Sequence, residues 1–282
     1  MPDTRQFMMP NMFGPQPGPR NNATDERFPV PDNRRYRTFG GVVGAREDRL
    51  KAILPDRFSL RGDPQLITNF FEICDIDWLA GRHYNMLTVC IAVTVDTDEG
   101  PLDGLFMPVL WENLADPILT GRDQLGFNKV YGSLPNPRTY QGQCHISGLW
   151  EGHRFFEGQI TRGQPADATF AARASAWLAP GSGIFHVKYV PRTGGNGAAD
   201  IHQVVLSPST DFGAHEGALW QATPQDWQFL PARWDQMPTQ AHIVTKLADL
   251  QDGTMIDGWM SEARGAGDFC NQRIVHDYLA NK

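Results

Sequence analysis

Lysine is scarce in this sequence, with five residues against twenty arginines, and that scarcity makes the setting of each one informative. No run of basic residues stands out, nor any stripe of aromatic and basic side chains, and the formal charge is −7. That balance argues against nucleic acid as the main partner and leaves a small molecule. Long apolar runs are missing too. No segment approaches the length that spans a bilayer, and the N-terminal Arg5 is not followed by an apolar signal core, so a cytoplasmic protein without a membrane partner is expected. The cysteines Cys74, Cys90, Cys144 and Cys270 match neither zinc spacing nor a redox pair, and read as reduced thiols. His145, His153, His186 and His242 likewise lack ligand spacing, so neither a metal nor a cofactor is expected.

What is present is glycine and proline, 28 and 21 residues, punctuating short runs rich in β-branched and aromatic side chains. Residues 1–38 are rich in Pro, Asn, Arg and Met without periodicity and read as a flexible arm; Met8, Met9, Met12 and Phe13 offer it a packing face, and Asn22 heads a glycosylation sequon of little weight without a secretion signal. Residues 39–282 read as one domain. A short amphipathic helix is expected over Glu47–Leu54, stopped by Pro55, then strands at Leu66–Phe71, Met86–Val95 and Leu105–Trp111, the last two joined by turn residues 96–100 and 103–104. Pro117–Leu125 reads as two helical turns, capped by Asp116 and ended by Gly126. Strands are expected over Cys144–Ile160, Ala168–Trp177, Gly183–Val190, Ile201–Leu206 and Ala218–Gln221, a helix or strand over Gln240–Leu250, and a closing helix near Cys270–Leu279. The sum is an α+β protein, mainly antiparallel sheet curled into a barrel, with few short helices.

Within this pattern Lys129 stands apart. Lys51, Lys188, Lys246 and Lys282 occupy amphipathic, alternating or terminal contexts, whereas Lys129 lies among Leu125, Phe127, Val130 and Leu134, the makings of a buried wall. A lysine is rarely buried without a partner, and desolvation favours its neutral amine, a nucleophile toward carbonyl carbon. The bland alternative is a side chain that snorkels to the surface.

The residues Glu112-Asn113, Pro117, Gly121-Arg122-Asp123, Gly126, Lys129 and Gly132 resemble the pattern of the acetoacetate decarboxylase superfamily, in which the lysine forms a Schiff base. Leu50–Pro55 and Ala241-His242-Ile243 resemble two flanking family segments, and the likeness spans roughly residues 40–250. The resemblance implies a cofactor-free lyase acting on an oxo acid or other small carbonyl substrate, in a homo-oligomer. It also exposes departures. The second lysine of the decarboxylase, which depresses the nucleophile's pKa, is replaced by Val130, and the preceding proline by Asn128; the family's acidic residue falls at Met86, and an early arginine at Gly44 with Arg46 as local substitute. Burial must then activate Lys129, assisted by Arg122 if the chain folds back. These losses fit aldolase-dehydratase or cyclase chemistry through an enamine better than true acetoacetate decarboxylation. The alternatives are a β-keto acid decarboxylase and a non-catalytic binding barrel.

Around Lys129, Asn128 and Tyr131 are candidate substrate contacts, one of them expected to face the sheet instead. Glu112 is a candidate base, with capping of the short helix preferred. Arg122 and Asp123 read as an ion pair, with Arg122 also a carboxylate clamp. Gln124 is expected to be solvated. Trp150, Glu151, Arg154 and Phe155-Phe156 are candidates for a substrate mouth or for core packing.

Overall fold

A computed structural model describes residues 7–19, 34–212, 215–265 and 271–280. Asn22 and Cys270 lie outside the described residues. In chain order the elements are β1 (Arg34–Ala45), α1 (Glu47–Ile53), β2 (Phe58–Leu60), β3 (Gln65–Ile76), β4 (Arg82–Thr97), β5 (Gly100–Glu112), α2 (Ala115–Thr120) and β6 (Lys129–Tyr131). They continue with β7 (Arg138–Tyr140), β8 (Gln143–Trp150), β9 (His153–Pro165), α3 (Ala168–Leu178), β10 (Gly183–Pro191), β11 (Ala199–Pro208), β12 (His215–Phe229), α4 (Ala241–Leu250), β13 (Gln251–Gly265) and β14 (Arg273–Asp277). Among the described residues no helix is long and apolar enough to cross a membrane.

Alternation of side chains along the long strands gives the sheet two faces, and both carry apolar residues. Neighbours along the sheet run β14-β11-β10-β5-β4-β3-β1-β13-β12-β9-β8-β7, with β2 added to β4 and β6 to β5. The path ends on two short edge strands that do not bond each other, so the expected barrel is corrected to an open sheet. Most pairs are antiparallel; β5 pairs in parallel with both β6 and β10, which places Lys129 beside Leu110 and Ile184 beside Leu105. The larger core fills one face with Phe39, Phe70, Trp111, Phe155, Phe156 and Trp227 and is closed by Val244, Leu247 and Leu250 of α4. A second cluster on the other face includes Leu110, Leu125 and Phe127, and is covered by Phe170, Ala174 and Trp177 of α3.

Three expectations give way here. Ala168–Trp177 is helix, because Asp167 caps it by accepting from the Phe170 amide at 2.7 Å and its alanines favour helix over strand. The described part of the closing segment is strand β14, whose Val275 is buried in the main core while its backbone pairs the edge of β11. The sheet also begins at Arg34, inside the segment expected to be an arm, and residues 7–19 include a short 3₁₀ turn at Asn11–Phe13.

Glycine permits a close approach between neighbouring strands of the sheet. Gly40 of β1 pairs across the ladder with Trp259 of β13, and a Cβ at position 40 would overlap the buried indole. Gly40→Ala is therefore expected to lower unfolding stability by about 1–3 kcal/mol through overpacking, read as a lower urea midpoint.

Candidate active site

The chain reaches Lys129 through a helix that changes pitch. Helix α2 is preceded by Leu114, which makes no side-chain cap, so neither Asp116 nor Glu112 serves as the cap expected from the sequence. The helix continues into one wider π-turn, Gly121–Leu125, and stops at Gly126, whose φ of 77° lies in the left-handed region that favours glycine. The Phe127 amide bonds the Gly121 carbonyl at 3.0 Å and starts the strand. Gly121 has a second duty. A Cβ there would overlap the aliphatic arm of Lys129, so the missing side chain is the space through which the lysine passes.

Strand β6 has only three residues and is held from several sides. Asn128 Nδ2 donates to the Met107 carbonyl at 3.1 Å, and Arg122 Nη1 donates to the Lys129 carbonyl at 2.7 Å. Gln240 Nε2 donates to the Tyr131 carbonyl at 2.9 Å while its Oε1 accepts from Trp111 Nε1 at 2.7 Å. Arg122 and Asn128 thus hold the backbone, whereas Tyr131 is 47% exposed. Arg122 makes no ion pair with Asp123, whose carbonyl instead accepts from Lys188 Nζ.

The Lys129 side chain turns inward and is 9% exposed. Its Nζ lies 2.7 Å from Glu112 Oε1 and 3.0 Å from the Pro117 carbonyl, with the Phe127 ring centroid 5.4 Å away. Glu112 is fully buried at the end of β5, and its Oε2 has no hydrogen-bond partner. Burial raises the Glu112 pKa, opposed by Lys129. The expectation that burial, with at most the help of Arg122, conditions the amine is therefore corrected: a carboxyl group lies within hydrogen-bonding distance of Nζ, and Arg122 holds the Lys129 carbonyl instead. Met86, where the family's acid aligns, stands directly across the ladder from Glu112, with Phe71 beyond it, so the wall there is apolar and Glu112 supplies the carboxyl.

His186 of β10 completes this side. It has no exposed surface, its ring centroid lies 4.0 Å from that of Phe127, and neither nitrogen has a partner. Burial first, and Lys129 second, push its pKa down to about 3, so the imidazole is neutral at physiological pH.

Other candidates fall elsewhere. Arg46 pairs with Asp249, and Gly44 faces Asp252. Phe155 and Phe156 are core residues against Trp111, Trp227 and Phe229 rather than a mouth. The Gln124 amide is buried without a partner, not solvated. Among the described residues no His, Cys, Asp and Glu side chains gather as a metal site. Gln240 and Gly121 were missed as supports of the site. A carboxylate ending a strand as apolar as Leu105–Trp111 needs a buried partner, but the strand itself does not say which residue that is.

Replacing one member of the buried pair leaves the other without compensation. Lys129→Met and Glu112→Leu are each expected to lower stability by about 3–5 kcal/mol, while the double variant recovers most of the loss, a coupling read by chemical denaturation of all four proteins. The His186 ring yields a pH dependence. Its pKa falls from 6.5 in the unfolded chain to about 3 in the fold, so the unfolded state binds the extra proton between those values. Stability present above pH 6.5 should fall on acidification by up to about 1.4 kcal/mol per pH unit. The same titration of His186→Leu should lack this component.

The sequence matches the family model described as acetoacetate decarboxylase (ADC) over residues 9–250. No curated protein sequence matches it. Among solved structures it is similar to acetoacetate decarboxylase from Legionella pneumophila, with 15% identity, a TM-score of 0.64, and 90% of this chain and 94% of that one covered. The enduracididine biosynthesis enzyme MppR, complexed with the condensation product of pyruvate and imidazole 4-carboxaldehyde, gives 14% identity and a TM-score of 0.62, covering 88% and 91%. An acetoacetate decarboxylase-like enzyme from Sphingomonas wittichii RW1 gives 15% and 0.59, covering 88% and 93%. At these identities the structures speak for the fold, and the match across most of the sequence speaks for descent: this chain belongs to the acetoacetate decarboxylase family.

Proposed function

We propose that this protein is a cofactor-free lyase in which Lys129 condenses with a carbonyl substrate, and that the resulting iminium feeds enamine chemistry of the aldolase-dehydratase or cyclase type rather than acetoacetate decarboxylation. The observation that carries this reading is the buried Lys129–Glu112 pair, with Val130 where a second cation would be. Nζ attacks the carbonyl carbon, the carbonyl oxygen leaves as water, and Glu112 balances the iminium charge. The unpartnered Oε2 is then a base for the α-proton, giving the enamine that attacks an aldehyde; dehydration yields a conjugated product. Arg122 and Asn128 fix the backbone that aims the amine, Met86 lends an apolar wall, and Tyr131 stands at the rim. The condensation product held by MppR supports carbonyl condensation as a use of this fold.

Incubation with a panel of ketones, aldehydes and oxo acids plus borohydride, followed by peptide mapping, is expected to place a reduced adduct on Lys129 that is absent in Lys129→Arg. A new near-ultraviolet enone band on adding an aromatic aldehyde, without CO₂ release from acetoacetate, is the expected outcome. CO₂ release without enone would reverse the choice of branch, and no adduct with any compound would leave a binding protein.

A further inference from the structure

The charge balance around Lys129 bears on the substrate. Resting on the Schiff-base reading, we propose that the carbonyl compound taken at Lys129 is uncharged, an aldehyde or ketone with an apolar or aromatic body, and not an oxo acid. Lys129 and Glu112 together carry no net charge whether their shared proton sits on nitrogen or on oxygen. Condensation keeps that balance: amine, carboxylic acid and ketone become iminium, carboxylate and water, with one C–N bond formed, the C–O bond lost and the proton of the acid consumed.

A carboxylate on the substrate would add a negative charge beside Glu112 in a site where, among the described residues, Lys129 is its one charged neighbour. Arg122 Nη1 donates to the Lys129 carbonyl and Lys188 Nζ to the Asp123 carbonyl, and neither bonds Glu112, whose Oε2 has no partner. His186 is neutral and offers no counter-charge. The walls agree with the electrostatics. Phe71, Met86 and Leu110 share the face of the sheet that carries Glu112, and Phe127 and Leu125 close it from the lysine side. Burying a carboxylate among such groups without a partner is strongly unfavourable.

The test is a matched pair on wild-type protein: 4-phenyl-2-butanone and 2-oxo-4-phenylbutanoate, which differ in a methyl against a carboxylate beside the carbonyl. Each is trapped with borohydride at equal concentration, mapped to Lys129, and normalised to its trapping by free butylamine. The ketone is expected to be trapped at least about tenfold faster, given like charges a few ångström apart at an effective dielectric of about 20. The Glu112→Gln variant should narrow the preference, since it removes the repelling charge and keeps the size. Equal or faster trapping of the oxo acid at Lys129 would overturn the inference and leave the Schiff base standing. Trapping of neither compound at Lys129 would remove the Schiff-base reading and this inference with it.

Discussion

The ion pair between Lys129 and Glu112 is the constraint that the rest of the site serves. Two ionisable groups 2.7 Å apart, one wholly buried and the other nearly so, persist only if the surrounding backbone fixes both. β5 brings Glu112 to the end of a thirteen-residue strand, and β6 runs parallel to it so that Lys129 lies two positions back on the same face. The parallel pairing requires a crossover, and α2 with its π-turn is that crossover in shortened form. Pitch change, Gly121 and left-handed Gly126 are three consequences of one need: to turn a lysine back beneath the helix that precedes it.

Family membership gives this arrangement a context without dictating its chemistry. The decarboxylase uses a neighbouring cation to depress its nucleophile. Here a carboxyl group takes the neighbouring place in space, though not in sequence, and a carboxyl beside an amine acts differently. In the reaction proposed above it balances the iminium charge and supplies the base for the α-proton. A neutral imidazole and apolar side chains lie beside the pair, and the polar groups that Nζ bonds are Glu112 and the Pro117 carbonyl.

Much of this was legible in the sequence, and what was not has physical reasons. Lys129 stood out because a lysine among Leu125, Phe127 and Val130 has no route to water without a turn. The strands were legible from alternation and punctuation, and Thr97 and Gly100 make the expected tight hairpin. Asp103 and Gly104, expected in the turn as well, instead pair with Thr94 and Val93 inside β5, because the turn is already closed at Gly100. Ala168–Trp177 misled because its apolar residues fit either period; its alanines and the Asp167 cap together decide for helix. The role of Glu112 depended on a contact across 17 residues, and that of Gln240 on contacts across 109 and 129, distances that no local pattern encodes. Whether the curled sheet closes was equally hidden, because closure depends on how two short edge strands meet.

The central claim is that the Lys129 amine reacts while paired with Glu112. Its most direct measurement is a crystal structure of the protein soaked with a neutral ketone and reduced in place. The account predicts continuous density from Lys129 Nζ into the ligand, with a Glu112 oxygen within hydrogen-bonding distance of that nitrogen. Density for the ligand at another site, with Nζ unmodified or turned out to solvent away from Glu112, would contradict it.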